Sequence, residues 1–140
     1  EAEIALLKQG TLYLGVSNPY VGLPFFRMFD VGVFERGGKL VPFTSGHFGD
    51  DGQPAFRTHE KLLPDLPASE APGEGKLSLE LEFEPTSRRA RSRINGIVVS
   101  DEVVALQPYE DIVFHVGLNA DAGNSEAQLR IARVSLSRTR

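Results

Sequence analysis

The chain of 140 residues contains no cysteine and no tryptophan. Without a thiol there is no disulfide framework, no thiolate metal site and no cysteine nucleophile. Without an indole, the broadest side chain for stacking on a sugar ring is also missing. No apolar run approaches the ~18 residues that suggest a membrane-spanning helix. Positive charge is not in excess: 15 Lys and Arg stand against 19 Asp and Glu, for a net charge of -4. That balance argues against a general nucleic-acid surface, because phosphate binding calls for clustered cations in excess. The opening EAEIALLKQG lacks the basic n-region of a signal peptide and begins in mid-pattern, which predicts a mature form or an excised module.

What is present is a soluble, globular composition, 41% hydrophobic and 24% charged, at a length that fits one domain over residues 1–140. The apolar residues recur mostly at every second position and are bounded by Gly, Pro, Asn and Asp, which is the pattern of strands. Strands are expected over 2–8, 11–17, 25–35, 39–44, 76–84, 89–94, 97–104, 111–119 and 128–137. The segment ALLKQ also suits a short helix by its residue preferences. Two tight turns are marked, RGGK at 36–39 and the Asn95-Gly96 pair, both favoring the positive φ of a two-residue hairpin link. Between them the pattern lapses, and a long loop is expected over about 45–75, with Phe48, Phe56 and Leu62 as anchors and one helical turn at 57–63.

The stretch LELEFEPTSRRARSRING carries Glu80, Glu82 and Glu84 at alternate positions, followed by Arg89, Arg91 and Arg93. With a four-residue turn at Pro85 to Arg88, an antiparallel register sets Glu84 opposite Arg89, Glu82 opposite Arg91 and Glu80 opposite Arg93. The other face then pairs Phe83 with Ala90, Leu81 with Ser92 and Leu79 with Ile94. One register satisfies both faces, and a slip of one residue would turn every apolar side chain to water. A catalytic reading competes, since alternate carboxylates lie about 6 to 7 Å apart and a retaining glycosidase needs about 5 to 5.5 Å. Opposed arginines would lower carboxylate pKa values, whereas a general acid needs a raised one. A solvated ion ladder is therefore expected.

The stretches LSLELEFEP, SRINGIVV, IVFHVGLNADAG and LRIARVSLS together resemble the concanavalin A-like lectin/glucanase superfamily, the laminin-G-like jelly rolls. The resemblance covers about residues 76–138. It implies an all-β fold, a two-sheet antiparallel jelly-roll sandwich, and a superfamily that includes lectins, adhesion modules, glycosidases and structural domains. The sequence departs from the glucanase pattern, having Glu82 where the motif has a central Asp, and it has no run of Asp and Asn like the legume-lectin metal loop.

Three other groups of residues are candidates for chemistry. Asp50 and Asp51 in GDDG, with His47, His59 and Glu60 nearby, are ligand types for a divalent cation, and calcium is the cation the two aspartates would take; no other cofactor is expected. A surface turn is the competing reading. Asp121 and Asn124 form a second acidic loop, read as a strand connection. Tyr20 in SNPYVGLPFF is the candidate platform for a sugar, with Phe25 and Phe26 beside it. His115 within IVFHVGL reads as a hydrogen-bonded sheet residue, and Arg88, Arg89, Arg91 and Arg93, with Arg133, Arg138 and Arg140, read as neutralizing the glutamates rather than meeting an anionic glycan. The expected function is a non-catalytic accessory or binding module of a larger extracytoplasmic or secreted protein. Carbohydrate is the leading ligand class, and the partners are other domains of that parent, not nucleic acid or a membrane. The alternatives are a glycoside-processing enzyme with a degenerate carboxylate strand and a purely structural interaction domain.

Overall fold

The computed structural model describes residues 2–8, 10–36, 39–62, 77–107, 111–120, 128–135 and 137, and among them there is no helix. The described residues form ten strands: β1 (Ala2–Lys8), β2 (Gly10–Ser17), β3 (Met28–Arg36), β4 (Lys39–Phe48), β5 (Gln53–Thr58), β6 (Leu77–Glu84), β7 (Arg89–Ile94), β8 (Ile97–Val103), β9 (Val113–Ala120) and β10 (Gln128–Val134). They make two antiparallel sheets in the orders β10-β1-β6-β7-β8 and β5-β4-β3-β2-β9. In the second sheet β9 returns beside β2 after three strands spent in the first. The spatial order 9-2-3-4 is that of a Greek key, the unit from which jelly rolls are built.

Alternation of side chains explains why the sheets face each other. On β2 and β3, Leu12, Leu14, Val16, Phe29, Val31 and Val33 all project to one side and are at most 5% exposed. They meet Leu77 and Leu79 of β6, Ala90 and Ile94 of β7, and Val99 of β8 in two adjoining clusters. Each of the valine, leucine, isoleucine and phenylalanine side chains, when fully buried, contributes about 1.5 to 3 kcal/mol. Leu81 is half-buried and packs against both clusters.

The β6–β7 register is the expected one at every position from Leu79 with Ile94 to Glu84 with Arg89. The Asn95-Gly96 link has φ of 50° and 78°, as a type I′ turn requires, and Arg36 pairs with Lys39 across the RGGK hairpin. ALLKQ is not helical where described, since Ala5 to Lys8 belong to β1.

The expected loop over about 45–75 is corrected in its first half. β4 continues to Phe48, and β5 occupies Gln53–Thr58, pairing with β4 from Phe43 with Thr58 to Phe48 with Gln53. The strand was hidden because β5 is an edge strand whose side chains are mostly exposed, so it carries no apolar alternation. Pro54 is compatible with such an edge. The expected helical turn at 57–63 gives way likewise: Arg57 and Thr58 close β5, and a single turn follows in which Leu62 N donates to His59 O at 2.9 Å. Residues 63–76 lie outside the described residues, as do Asp121, Asn124, Arg138 and Arg140. The third strand begins at Met28 rather than Phe25. The cause is buried Asn18, whose Nδ2 donates to Phe25 O at 3.0 Å and whose Oδ1 accepts from Arg27 N at 3.2 Å, closing the base of the β2–β3 loop.

Candidate binding cleft on the outer face of one sheet

With the apolar residues of β2 and β3 turned inward, the intervening residues face outward. The registers align them in rows across the five strands. One row runs His115, Gly15, Asp30, Ser45, Phe56. The next runs Gly117, Tyr13, Gly32, Phe43, Thr58.

Glycine governs both rows. A Cβ built on Gly15 would lie 2.0 Å from Asp30 Oδ1 and 2.2 Å from His115 Nε2, so only glycine lets those two side chains meet above β2. They do meet, His115 Nε2 standing 2.9 Å from Asp30 Oδ1. A carboxylate only accepts, so the ring hydrogen is on Nε2 and His115 donates. Ser45 Oγ donates to the other oxygen, Oδ2, at a long 3.5 Å. On the second row, Cβ atoms at Gly117 and Gly32 would strike the rings of Tyr13 and Phe43 at 2.0 and 2.6 Å. Both rings therefore lie down along the sheet. Glycine inside a strand commonly marks such a close approach.

The result is a cleft of about 580 Å³, within the size range of small-ligand sites. Its polar center is Asp30, buried to 5% exposure. One wall is aromatic: Phe43 and Phe56 stack at 5.0 Å with an interplanar angle of 25°, and Phe34 lies 5.9 Å from Phe43. At the other end Tyr13 meets His115 edge-on at 5.9 Å. Val21 and Phe26 reach the cleft from the β2–β3 loop. Among the described residues lining it there is no Lys or Arg, and Asp30 is the one carboxylate.

Of the residues singled out in the sequence, His115 is a hydrogen-bonded sheet residue as expected and lines the cleft with Phe26, whereas Tyr20, Asp50 and Asp51 are not in its lining. Tyr20 packs edge-on against Phe25 at 4.8 Å and lies beside the cleft rather than in its lining, to which its neighbor Val21 contributes. Asp50 pairs with Arg88, and Asp51 Oδ1 accepts from Gln53 N at 3.1 Å, so the two aspartates shape the β4–β5 turn between Gly49 and Gly52 at φ of 64° and 62°. Among the described residues no three His, Asp or Glu side chains converge as a metal site would require. His47 and His59 are separately engaged: His47 Nδ1 accepts from Met28 N at 3.3 Å, and His59 Nε2 lies 2.9 Å from Thr44 Oγ1. Burial first, and nearby Arg27 or Arg57 second, hold both below the ordinary histidine pKa.

On the opposite sheet the glutamates and arginines face solvent as expected, but the arginines do not all bond to their register partners. Arg93 reaches Glu82 at 3.1 Å and Glu80 at 3.6 Å, while Arg89 and Arg91 turn to Asp101 on β8 at 2.5 and 2.9 Å. Those hydrogen bonds, Arg89's first, hold the Asp101 carboxyl below its usual range. Glu84 Oε1 instead accepts from Thr86 N in the turn.

Sequence reasoning missed Asp30, Tyr13, Phe43 and Phe56 as one site. A signal was present in LGV, VGV and VGL, three strands each with a glycine amid apolar residues, which marks places where something approaches the backbone closely. No family model, curated protein or solved structure matches the chain. No helix among the described residues is long and apolar enough to cross a membrane.

Proposed function

We propose that this domain is a non-catalytic carbohydrate-binding module and that the outer-face cleft is its site. The observation that carries the reading is the stacked Phe43–Phe56 pair, with Phe56 59% exposed, beside the buried Asp30 carboxylate. Sugars present apolar C–H faces and rims of hydroxyls, so a flat ring beside hydrogen-bonding groups matches both parts. Binding suits the cleft better than hydrolysis, because glycoside cleavage ordinarily takes two carboxylates across the scissile bond and the lining offers Asp30 alone among the described residues. The glutamate strand lies on the other sheet, amid arginines. The reading agrees with the resemblance to the concanavalin A-like superfamily and with a place beside other domains in an extracytoplasmic parent.

Isothermal titration calorimetry against soluble polysaccharides tests it. Binding that falls about tenfold or more on Phe56→Ala, with the fold intact by circular dichroism, is the expected result. A purified domain that binds no glycan in the set, or binds equally after Phe56→Ala, overturns the assignment.

A further inference from the structure

Given the carbohydrate reading, on which this rests, we infer that the cleft selects neutral glycans over uronate- or sulfate-bearing ones, with Asp30 as the anchor for sugar hydroxyls. Three observations support it.

The first is the hydrogen-bonding capacity at the center of the cleft. Ionized Asp30 has two oxygens with about four acceptor positions, and only His115 at 2.9 Å and Ser45 at 3.5 Å draw on them. In a neutral imidazole that donates through Nε2, Nδ1 is a further acceptor. The site therefore calls for a ligand that donates. A hydroxyl donates; a carboxylate or sulfate on the ligand only accepts.

The second is charge. Asp30 is 5% exposed, and a second anion brought beside it would be repelled with little screening by water. No described Lys or Arg lines the cleft to offset this. The arginines of β7 lie on the other sheet and are engaged with Asp101, Glu80 and Glu82, and Arg36, stacked over Phe34 at 5.1 Å, is paired with Glu60 at 3.0 Å.

The third is extent. The row from His115 to Phe56 crosses four interstrand steps of about 4.8 Å, roughly 19 Å in all. Its polar groups lie at the β9, β3 and β4 positions and its stacking ring at β5. A single sugar cannot touch both ends, so the site fits a short oligosaccharide lying across the strands.

The test titrates the domain at about pH 8, above the ordinary histidine range. The probes are galactomannan, arabinoxylan and mixed-linkage β-glucan on one side, and polygalacturonate, alginate and chondroitin sulfate on the other. Expected is binding to at least one neutral polymer, with every anionic polymer bound about tenfold or more less tightly. Asp30→Asn should weaken neutral binding and narrow that ratio. Val113→Lys, which sets a cation at an exposed position of the lining and leaves Asp30 and His115 in place, should raise anionic binding and narrow the ratio, and this keeps the test open if Asp30→Asn fails to fold. Anionic polymers bound as tightly as neutral ones, or a ratio unchanged in folded Asp30→Asn or in Val113→Lys, overturns the selectivity while leaving the carbohydrate reading standing. Binding to neither class overturns that reading and the selectivity with it.

Discussion

His115 on β9 and Asp30 on β3 are hydrogen-bonded at 2.9 Å across the strand that separates them, and the bond passes over Gly15. The outward-facing cleft thus depends on a position that has no side chain. Gly15→Ala should break the bond, since the new methyl would fall on both partners, and the overpacking should cost about 1 to 3 kcal/mol. Urea denaturation measures the cost, and loss of glycan binding should accompany it. A Gly15→Ala protein of unchanged stability and affinity would show that the bond is dispensable.

The ion pairs of the first sheet should matter little by comparison. Glu82 and Arg91 are exposed, and exposed pairs contribute about 0 to 1 kcal/mol. Glu82→Gln and Arg91→Gln are each expected to shift stability by no more than about 1 kcal/mol. Leu79→Ala, at a side chain only 1% exposed, should cost about 2 to 5 kcal/mol in the same assay. Comparable losses at Glu82 and Leu79 would mean that the charged face, not the apolar one, sets the register.

The contrast shows what the sequence made legible. The β6–β7 register was readable because two constraints, opposite charges on one face and apolar residues on the other, agree on one alignment. The Asn95-Gly96 turn was readable because few residue pairs accept positive φ twice. β5 was not, because an edge strand buries little and leaves no alternation. Nor was the cleft. Asp30, Ser45 and His115 lie far apart in sequence and meet only through the pairing of β3 with β4 and of β2 with both β3 and β9, and local spacing does not encode that pairing. Tyr20 stood out by its loop composition, whereas Phe56 read as the anchor of a long loop and Tyr13 and Phe43 as ordinary strand residues.

Ser92 and Ser100 oppose each other on β7 and β8, both buried, and neither hydroxyl has a hydrogen-bond partner among the described residues. A buried hydroxyl left unsatisfied is costly, so removing it restores part of that cost. Ser92→Ala should therefore leave stability unchanged or raise it, by up to about 1 kcal/mol, in thermal or urea unfolding. A clear loss would mean that the hydroxyl is satisfied in solution.

Acid sensitivity should begin at the histidines. Burial keeps His47 and His59 below the ordinary histidine value of about 6.5, so between that value and their folded pKa values the unfolded chain binds protons that the folded chain does not. Stability then rises with pH through this window: it is fully present above 6.5, falls as the solution is acidified, and levels off once the folded forms also protonate. Asp101, held below 3.8 by Arg89 and Arg91, acts in a separate window, its contribution present above that value and lost as pH falls through its folded pKa. His59 bonds to Thr44, which is fully buried, so its protonation sets a charge beside the core. The melting temperature should fall between about pH 7 and pH 5, and His59→Gln should flatten that fall, because its side chain does not titrate there. Equal slopes for wild type and His59→Gln would exclude His59 as the source. A wild-type melting temperature that rose on acidification would contradict the direction for both histidines.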